Sequence, residues 1–249
     1  MEALVLVVAG FLAGLAGSIA GLASIVSYPA LLAVGLPPVA ANVTNSVALV
    51  CISLGSITGS RRELVGQGPR IRRLAPWALV GGIVGAALLL LTPERVFALL
   101  VPFLVGGASV VMLLPRPSEE HPGRADSRWL PPTIGSIAVY SGYFGAAAGV
   151  MYVAALLHGT GLTLARANAA RNAIAGISNG VSAVAFVAFG PVEWWAAAPL
   201  AVGLLVGGYA GPSIVRRAPQ RPLRVAIGLA GIAVAVSLLV RALGPASGS

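Results

Sequence analysis

Two short polar segments interrupt the apolar runs of this 249-residue chain, and most of their polar side chains are hydrogen-bond donors. The first is Asn42 to Ser46 and the second is Asn168 to Asn172, at a separation of about 126 residues. On a helix, residues three and four apart are neighbours, so Asn168, Arg171 and Asn172 share one face. Amides, hydroxyls and one guanidinium inside an apolar run predict a binding site for a small oxyanion.

The candidate substrate-binding residues are the polar side chains of these segments and of the turns that follow: Asn42, Thr44, Asn45, Ser46, Asn168, Arg171, Asn172, Ser178 and Asn179. A glycine-rich stretch precedes each segment, and a helix break is predicted in each, at Gly17, Gly21, Gly145 and Gly149. A broken helix offers free N–H donors and a partial positive charge at its new N-terminus, which favours anions. We expect the two breaks to face each other.

Each polar residue also has a purely structural alternative. Asn and Thr commonly join helices in membranes, and the alternative for Arg171 is extension to the membrane surface. Arg166, one turn earlier, is expected to be an interface anchor. Glu193 precedes two tryptophans, as in an interfacial belt, with coupling as its alternative. His158 is expected at an interface, with proton sensing as its alternative.

The composition indicates a membrane protein. The chain is 57% hydrophobic and 9% charged, with a mean hydropathy of +0.92, and its apolar runs reach the roughly 20 residues that a spanning helix needs. All sixteen basic residues are arginines, clustered in short loops, so the net charge of +9 does not predict nucleic-acid binding. Cys51 stands alone and no carboxylate lies in the middle of an apolar run, so no metal, cofactor or catalytic site is predicted.

The apolar runs predict two similar halves, residues 1–115 and 133–249, joined by a polar linker at residues 116–132. The predicted elements of the first half are Leu4–Val34, Val39–Ser60, Leu74–Leu91 and Val96–Leu114, and those of the second are Thr133–His158, Leu164–Phe189, Trp194–Val215 and Val225–Leu243. The first element of each half is glycine-broken, and GxxxG spacings elsewhere favour internal packing over a homodimer face.

The arginines predict the topology. The loop Arg61–Arg73 has five arginines and one glutamate, and the loop Arg216–Arg224 has four arginines. If all eight elements crossed the membrane, these loops would lie on opposite sides, against the tendency of basic loops to be cytoplasmic. The conflict disappears if the first and fifth elements are re-entrant hairpins. We therefore predict an all-α polytopic membrane protein of two inverted repeats, each a glycine-broken hairpin plus three transmembrane helices.

At these residues the chain resembles the TauE/SafE family of sulfite exporter-like permeases. The motifs that carry the resemblance are Pro29-x-Leu31 with Gly35, Ala41-x-x-Thr44-Asn45, Tyr140 to Gly149, Arg166 to Asn172, Phe189 to Trp194, and Gly207 to Gly211. The family's typical polar positions are here Thr44, Asn45, Asn168 and Asn172. The glycine cluster usual in the first hairpin is replaced by Gly21-Leu22-Ala23-Ser24.

The resemblance implies transport across a bacterial cytoplasmic membrane, often export, of sulfite, a sulfonate or a related small organic anion. We therefore expect a multi-pass secondary transporter of the inner membrane, with a small anion and the lipid bilayer as its partners. An anion channel of the same architecture is the alternative, followed by a membrane enzyme or assembly factor. Because no intramembrane His, Asp or Glu pair is visible, enzyme activity is not predicted.

Overall fold

The computed structural model describes residues 1–113 and 126–215, with a few further positions between 229 and 240. Within these residues it contains ten α-helices and no strand. They are α1 (Glu2–Ala20), α2 (Ala23–Ala33), α3 (Pro38–Gly59), α4 (Arg61–Leu64), α5 (Gly68–Leu91), α6 (Glu94–Leu113), α7 (Leu130–Tyr143), α8 (Ala148–Gly159), α9 (Leu164–Phe189) and α10 (Trp194–Val215). Most of the predicted linker, the loop Arg216–Arg224 and most of the predicted helix Val225–Leu243 lie outside the described residues.

The first break separates α1 from α2 at Gly21 and Leu22. Gly21 has φ +77°, and its N–H donates to the Gly17 carbonyl at 2.7 Å, so it ends the helix in the left-handed conformation that glycine allows. The prediction that Gly17 lies in the break is wrong. Gly17 is helical, and a Cβ there would lie 2.7 Å from the Ala23 Cβ, so its small size lets α1 and α2 approach.

The second break separates α7 from α8 and spans residues 144–147. Gly145 has φ +76° and Ala147 has φ +59°. The Tyr140 carbonyl accepts the N–H groups of both Phe144, at 2.9 Å, and Gly145, at 3.1 Å, which closes the end of α7. Gly149 was predicted to lie in this break, but it does not. The helix α8 already begins at Ala148, and Gly149 belongs to its first turn.

Contacts of polar residues define one end of the molecule, called here the basic end. Arg70 forms a bidentate ion pair with Asp126, with a shortest N–O distance of 2.7 Å. The fully buried Gln67 donates its amide Nε2 to the Arg166 carbonyl at 2.9 Å. The starts of α5 and α9 and the segment before α7 therefore meet at this end.

The opposite end holds the start of α3 and the α9–α10 connection. The N–H of Glu193 donates to the Thr44 hydroxyl oxygen at 3.0 Å. A second cavity, of about 400 Å³, lies at this end and is lined in part by Pro37, Glu94 and Glu193.

The two broken hairpins open toward different ends. The carbonyl of Gly159, the last residue of α8, accepts the N–H of Ser127 at 2.8 Å, next to Asp126 at the basic end. In contrast, α2 leads through Pro37 directly into α3 at the opposite end. The breaks therefore lie between the two ends.

Glycines let α1 pack against α10 and α5 pack against α7. A Cβ on Gly14 would lie 2.8 Å from the Leu204 carbonyl oxygen, and one on Gly142 would lie 2.7 Å from the Gly82 carbonyl oxygen. The internal packing predicted for the glycine spacings is thus confirmed at Gly203, Gly207, Gly81 and Gly85, where an added Cβ would meet the facing helix backbone.

Four helices among the described residues are long and apolar enough to cross a membrane: Pro38–Gly59, Gly68–Leu91, Leu164–Phe189 and Trp194–Gly211. The helical membrane fold predicted from composition is confirmed to that extent. One boundary differs, because the predicted polar loop Arg61–Arg73 contains α4 and the first turns of α5. Pro69 favours this early helix start, since the first turn needs no N–H from it.

Candidate functional site

A cavity of about 60 Å³ lies between the two breaks. It is walled by the end of α1, the start of α2, the middle of α3, the end of α7, the start of α8 and the middle of α9. Its polar lining consists of Ser24, Ser53, Ser141, Tyr152, Arg171, Asn172 and Asn179. We call this space the central cavity.

The first break packs against the start of α8, directly after the second break, through backbone contact. A Cβ on Gly21 would lie 2.5 Å from the Gly149 carbonyl carbon and 2.8 Å from the Val150 nitrogen. Side chains larger than hydrogen therefore do not fit at this crossing. The same contact brings the starts of α2 and α8 to one cavity, which Ala23 and Ala148 also line.

These two helix starts give the central cavity an electropositive character. The first N–H groups of a helix have no acceptor within the helix and carry the positive end of its dipole. Ala23 and Ser24 at the start of α2, and Ala148 and Gly149 at the start of α8, all line the cavity. Such paired helix starts favour a negatively charged or hydrogen-bond-accepting ligand.

Arg171 is buried, with 4% of its surface exposed, and it does not extend to the membrane surface. Its Nη1 donates to the Gly17 carbonyl at 3.0 Å and its Nη2 donates to the Ser18 carbonyl at 3.1 Å. Asn168 Nδ2 also donates to the Ser18 carbonyl, at 2.9 Å. Because a helix C-terminus is partially negative, a guanidinium there stabilises the broken end of α1.

Asn42 performs the corresponding task in the other half, since its Nδ2 donates to the Tyr143 carbonyl at the end of α7, at 2.9 Å. Asn45 joins α3 to α2, accepting from the Ser27 hydroxyl at 2.6 Å and donating to Ser24 Oγ at 3.2 Å. The Ser46 hydroxyl donates to the Asn42 carbonyl, and the Ser178 hydroxyl donates to the Ala138 carbonyl.

Six predicted site residues do not line the central cavity: Asn42, Thr44, Asn45, Ser46, Asn168 and Ser178. Arg171, Asn172 and Asn179 line it, as do Gly17, Gly21, Gly145 and Gly149. Each of the six has a hydrogen-bond partner within the protein: Ser46 bonds within α3, Thr44 bonds the α9–α10 connection, and the other four join helices.

Sequence reasoning missed four polar lining residues, Ser24, Ser53, Ser141 and Tyr152. Ser141 lies four residues before Gly145 and Tyr152 lies one turn into α8, so proximity to the break was an available signal. Ser53 carries no such signal, since it lies in the middle of α3.

Four aromatic rings contact one another edge-on beside the second break. Phe144 lies edge-on to Tyr28, with centroids 5.4 Å apart, and Phe97 lies 6.0 Å from Phe144. Phe97 also contacts Tyr143, at 5.8 Å. We call these four rings the aromatic cluster; none of them lines the central cavity.

The remaining titratable candidates lie away from the central cavity. The Glu193 carboxylate accepts from the Trp195 indole at 3.2 Å, next to exposed tryptophans, as in an interfacial belt. His158 is exposed at the end of α8. Among the described residues, no three His, Cys, Asp or Glu side chains are grouped so that they could hold a metal ion.

Long apolar helices, two broken hairpins in contact and a small polar cavity between them define a helical membrane protein built around an internal site. The chain belongs to the sulfite exporter TauE/SafE family, whose model matches residues 6–238. The family resemblance predicted from the motifs is thus confirmed, and the chain is a membrane transporter by family.

Its relatives carry names of the same class. The chain is 30% identical over 240 residues to "Probable membrane transporter protein YfcA" of Escherichia coli strain K12, covering 94% of this chain and 88% of the relative. It is 25% identical over 242 residues to "Probable membrane transporter protein ORF9" of a Sinorhizobium species, covering 94% and 91%. No solved structure gives a significant match.

Proposed function

We propose that the protein is a secondary transporter of a small anion and that the central cavity is its substrate site. One observation carries the proposal: the starts of α2 and α8 and the buried Arg171 guanidinium converge on the central cavity. Amide donors and a positive charge in a low-dielectric setting attract oxyanions strongly. The family membership and the relatives' names support transport as the activity.

The proposed mechanism is alternating access by two inverted repeats. Equivalent helices begin about 126 residues apart, α3 at Pro38 and α9 at Leu164, α5 at Gly68 and α10 at Trp194. The hairpins open toward different ends, and Asn42 and Asn168 each bond the broken helix of the other half. These features support a two-fold relation in the membrane plane, in which one half rocks against the other around the cavity.

The proposed direction is export from the cytoplasm across the bacterial inner membrane. Arginine-rich loops tend to be cytoplasmic, which assigns the basic end to the cytoplasm. An anion leaving the cell would then pass from the Gln67–Arg166 contact to the central cavity, and onward past the aromatic cluster. The family description, sulfite exporter, supports this direction.

An anion channel is the second candidate. It would require a continuous pore, whereas the backbone of Gly21 is in close contact with that of Gly149 beside the cavity. Exchange kinetics distinguish the two, because substrate on the far side of the membrane accelerates uptake by a carrier and does not accelerate flux through a channel.

Uptake by proteoliposomes tests the proposal. Purified protein is reconstituted and assayed with labelled sulfite, acetate and sulfoacetate, with protein-free liposomes as the control. We expect saturable uptake of at least one small anion, accelerated by the same anion inside the vesicles. Absence of flux with every anion would contradict the transporter assignment, and non-saturable flux without acceleration would favour the channel.

A further inference from the structure

We propose that Asn172 and Tyr152 are the side chains that bind the anion directly, and that Arg171 is a positioning residue that holds the broken end of α1. This inference rests on the proposed function and deepens it. Charge alone would indicate the Arg171 guanidinium as the anion ligand, whereas this proposal gives that role to two neutral side chains.

Asn172 presents an unused donor to the central cavity. Its side chain is 6% exposed, and its Nδ2 forms no hydrogen bond within the protein. A buried amide N–H group without an acceptor costs about 1–3 kcal/mol. A ligand oxygen in the cavity would remove that cost, so the amide gains most of its stabilisation when the site is loaded.

Tyr152 presents a second unused group. Its side chain is fully buried, and its hydroxyl has the hydroxyls of Ser141 and Ser178 as neighbours, neither of them at full hydrogen-bond geometry. Buried tyrosine hydroxyls usually have a partner. Tyr152 lines the same cavity as Asn172, so one ligand can accept from both.

Arg171 differs because each of its terminal nitrogens uses one N–H group on a carbonyl of α1, at 3.0 and 3.1 Å, which fixes the guanidinium at the broken helix end. A Cβ on Gly149 would lie 2.6 Å from Nη1, so the guanidinium is also held against the start of α8. Arg171 therefore fixes the end of α1 relative to the start of α8 and makes the electrostatic potential in the cavity positive. Asn172 and Tyr152 supply the hydrogen bonds to the anion.

The volume of the cavity fits a small ligand. One water position needs about 10–15 Å³ of such space, so about 60 Å³ holds roughly four to six water-sized groups. Sulfite and acetate, with about four non-hydrogen atoms each, fit within this space. The inferred ligand is a small oxyanion that accepts hydrogen bonds from two neutral donors.

Variants in proteoliposomes test the assignment, with labelled sulfite and acetate as probes. Tyr152→Phe and Asn172→Ala each remove one donor to a charged ligand, and we expect KM to rise about tenfold or more for the better substrate. Tyr209→Phe is the matched control, since Tyr209 on α10 is 60% exposed, and its KM should stay within twofold. An unchanged KM in both Tyr152→Phe and Asn172→Ala would overturn the proposal.

Arg171→Lys tests the positioning role. A lysine ammonium keeps the positive charge near the Gly17 and Ser18 carbonyls. It lacks the planar pair of nitrogens with which the guanidinium bonds both carbonyls at once. We expect the maximal rate to fall while KM stays within about threefold of wild type. A KM increase larger than that of Asn172→Ala, at an unchanged maximal rate, would make Arg171 the direct ligand and overturn the proposal.

Thermal unfolding in detergent separates this inference from the proposed function. Sulfite or acetate should raise the unfolding temperature of the wild type, and the effect should be lost in Asn172→Ala and in Tyr152→Phe. Stabilisation without flux would refute transport of these anions but support the binding residues. Neither stabilisation nor flux in the wild type would refute both, and stabilisation equal in wild type and variants would refute the binding residues alone.

Discussion

At the residue scale, Gly21 meets two constraints that a side chain would violate. Its φ of +77° is left-handed, and a Cβ would meet the backbone of Gly149 and Val150. Gly35 meets only the first, since its φ is +92° and a Cβ there would have nothing within 4 Å. The two glycines therefore separate the cost of the backbone conformation from the cost of the contact.

We predict that Gly21→Ala lowers the unfolding free energy by about 2–5 kcal/mol and Gly35→Ala by about 1–2 kcal/mol. The left-handed conformation costs roughly 1–2 kcal/mol for a non-glycine residue, and overpacking adds about 1–3 kcal/mol at Gly21. Thermal unfolding in detergent measures both. Equal losses would mean that the two hairpins can separate at the crossing without cost.

Sequence analysis predicted Arg171, Asn172 and Asn179 in the site because a helical spacing of polar residues stands out in an apolar run. It did not predict Tyr152, since a tyrosine in such a run resembles a core residue. It also did not distinguish Asn42 or Thr44 from ligand-binding residues. Their partners are main-chain groups of Tyr143 and Glu193, distant in sequence, and only the fold brings them together.

At the element scale, the basic end is held by contacts between α4–α5 and the start of α9. Gln67 donates to the carbonyls of Glu63 and Arg166, and Arg166 donates to the Val65 carbonyl at 2.9 Å. The contacts of Arg166 with Gln67 and Val65 join residues of the two halves, so the proposed rocking motion would require that they break. Arg70 and Asp126 add an ion pair at the same end.

We predict that Gln67→Ala opens the basic end more often. A cysteine in the central cavity, Ser53→Cys in a Cys51→Ser background, reports the opening through its rate of labelling by a polar thiol reagent added at the basic end. We expect labelling to accelerate severalfold, because loss of one hydrogen bond shifts an equilibrium by about 1 kcal/mol. Ser136→Ala is the control, since Ser136 bonds only its own helix, at Pro132. Labelling equally fast with and without Gln67 would show that this contact does not restrain the opening.

The elements themselves were largely predictable. Apolar length and the arginine clusters predicted α3, α9 and α10 to within a few residues, and glycine content predicted that the first and fifth elements break. The break positions were displaced, because several glycines compete in each stretch and only packing decides which one takes the left-handed conformation. The early start of α5 was missed because arginines in a helix that extends beyond the apolar run resemble a loop.

At the scale of the whole molecule, we predict that Gly66 and Gln220 lie on the same side of the membrane and Pro191 on the other. Single cysteines at these positions, in a Cys51→Ser background, are labelled by an impermeant reagent in intact cells and in inverted vesicles. Cysteines at Gly66 and Gln220 should react only in the vesicles, and one at Pro191 should react in cells. Opposite behaviour of Gly66 and Gln220 would contradict the inverted repeats.

The central cavity has a consequence for energetics. Among its described lining residues, Arg171 is charged and none is a carboxylate, so a bound monoanion makes the site electrically neutral. A membrane potential that is negative inside would then act on the charged empty site and not on the neutral loaded one. It would change the free energy of moving the empty site across the membrane by about 2.3 kcal/mol per 100 mV if the charge crossed the whole field. If the cycle runs in the proposed export direction, the potential returns the empty carrier to the cytoplasmic side, and each turnover exports one negative charge without a co-transported ion.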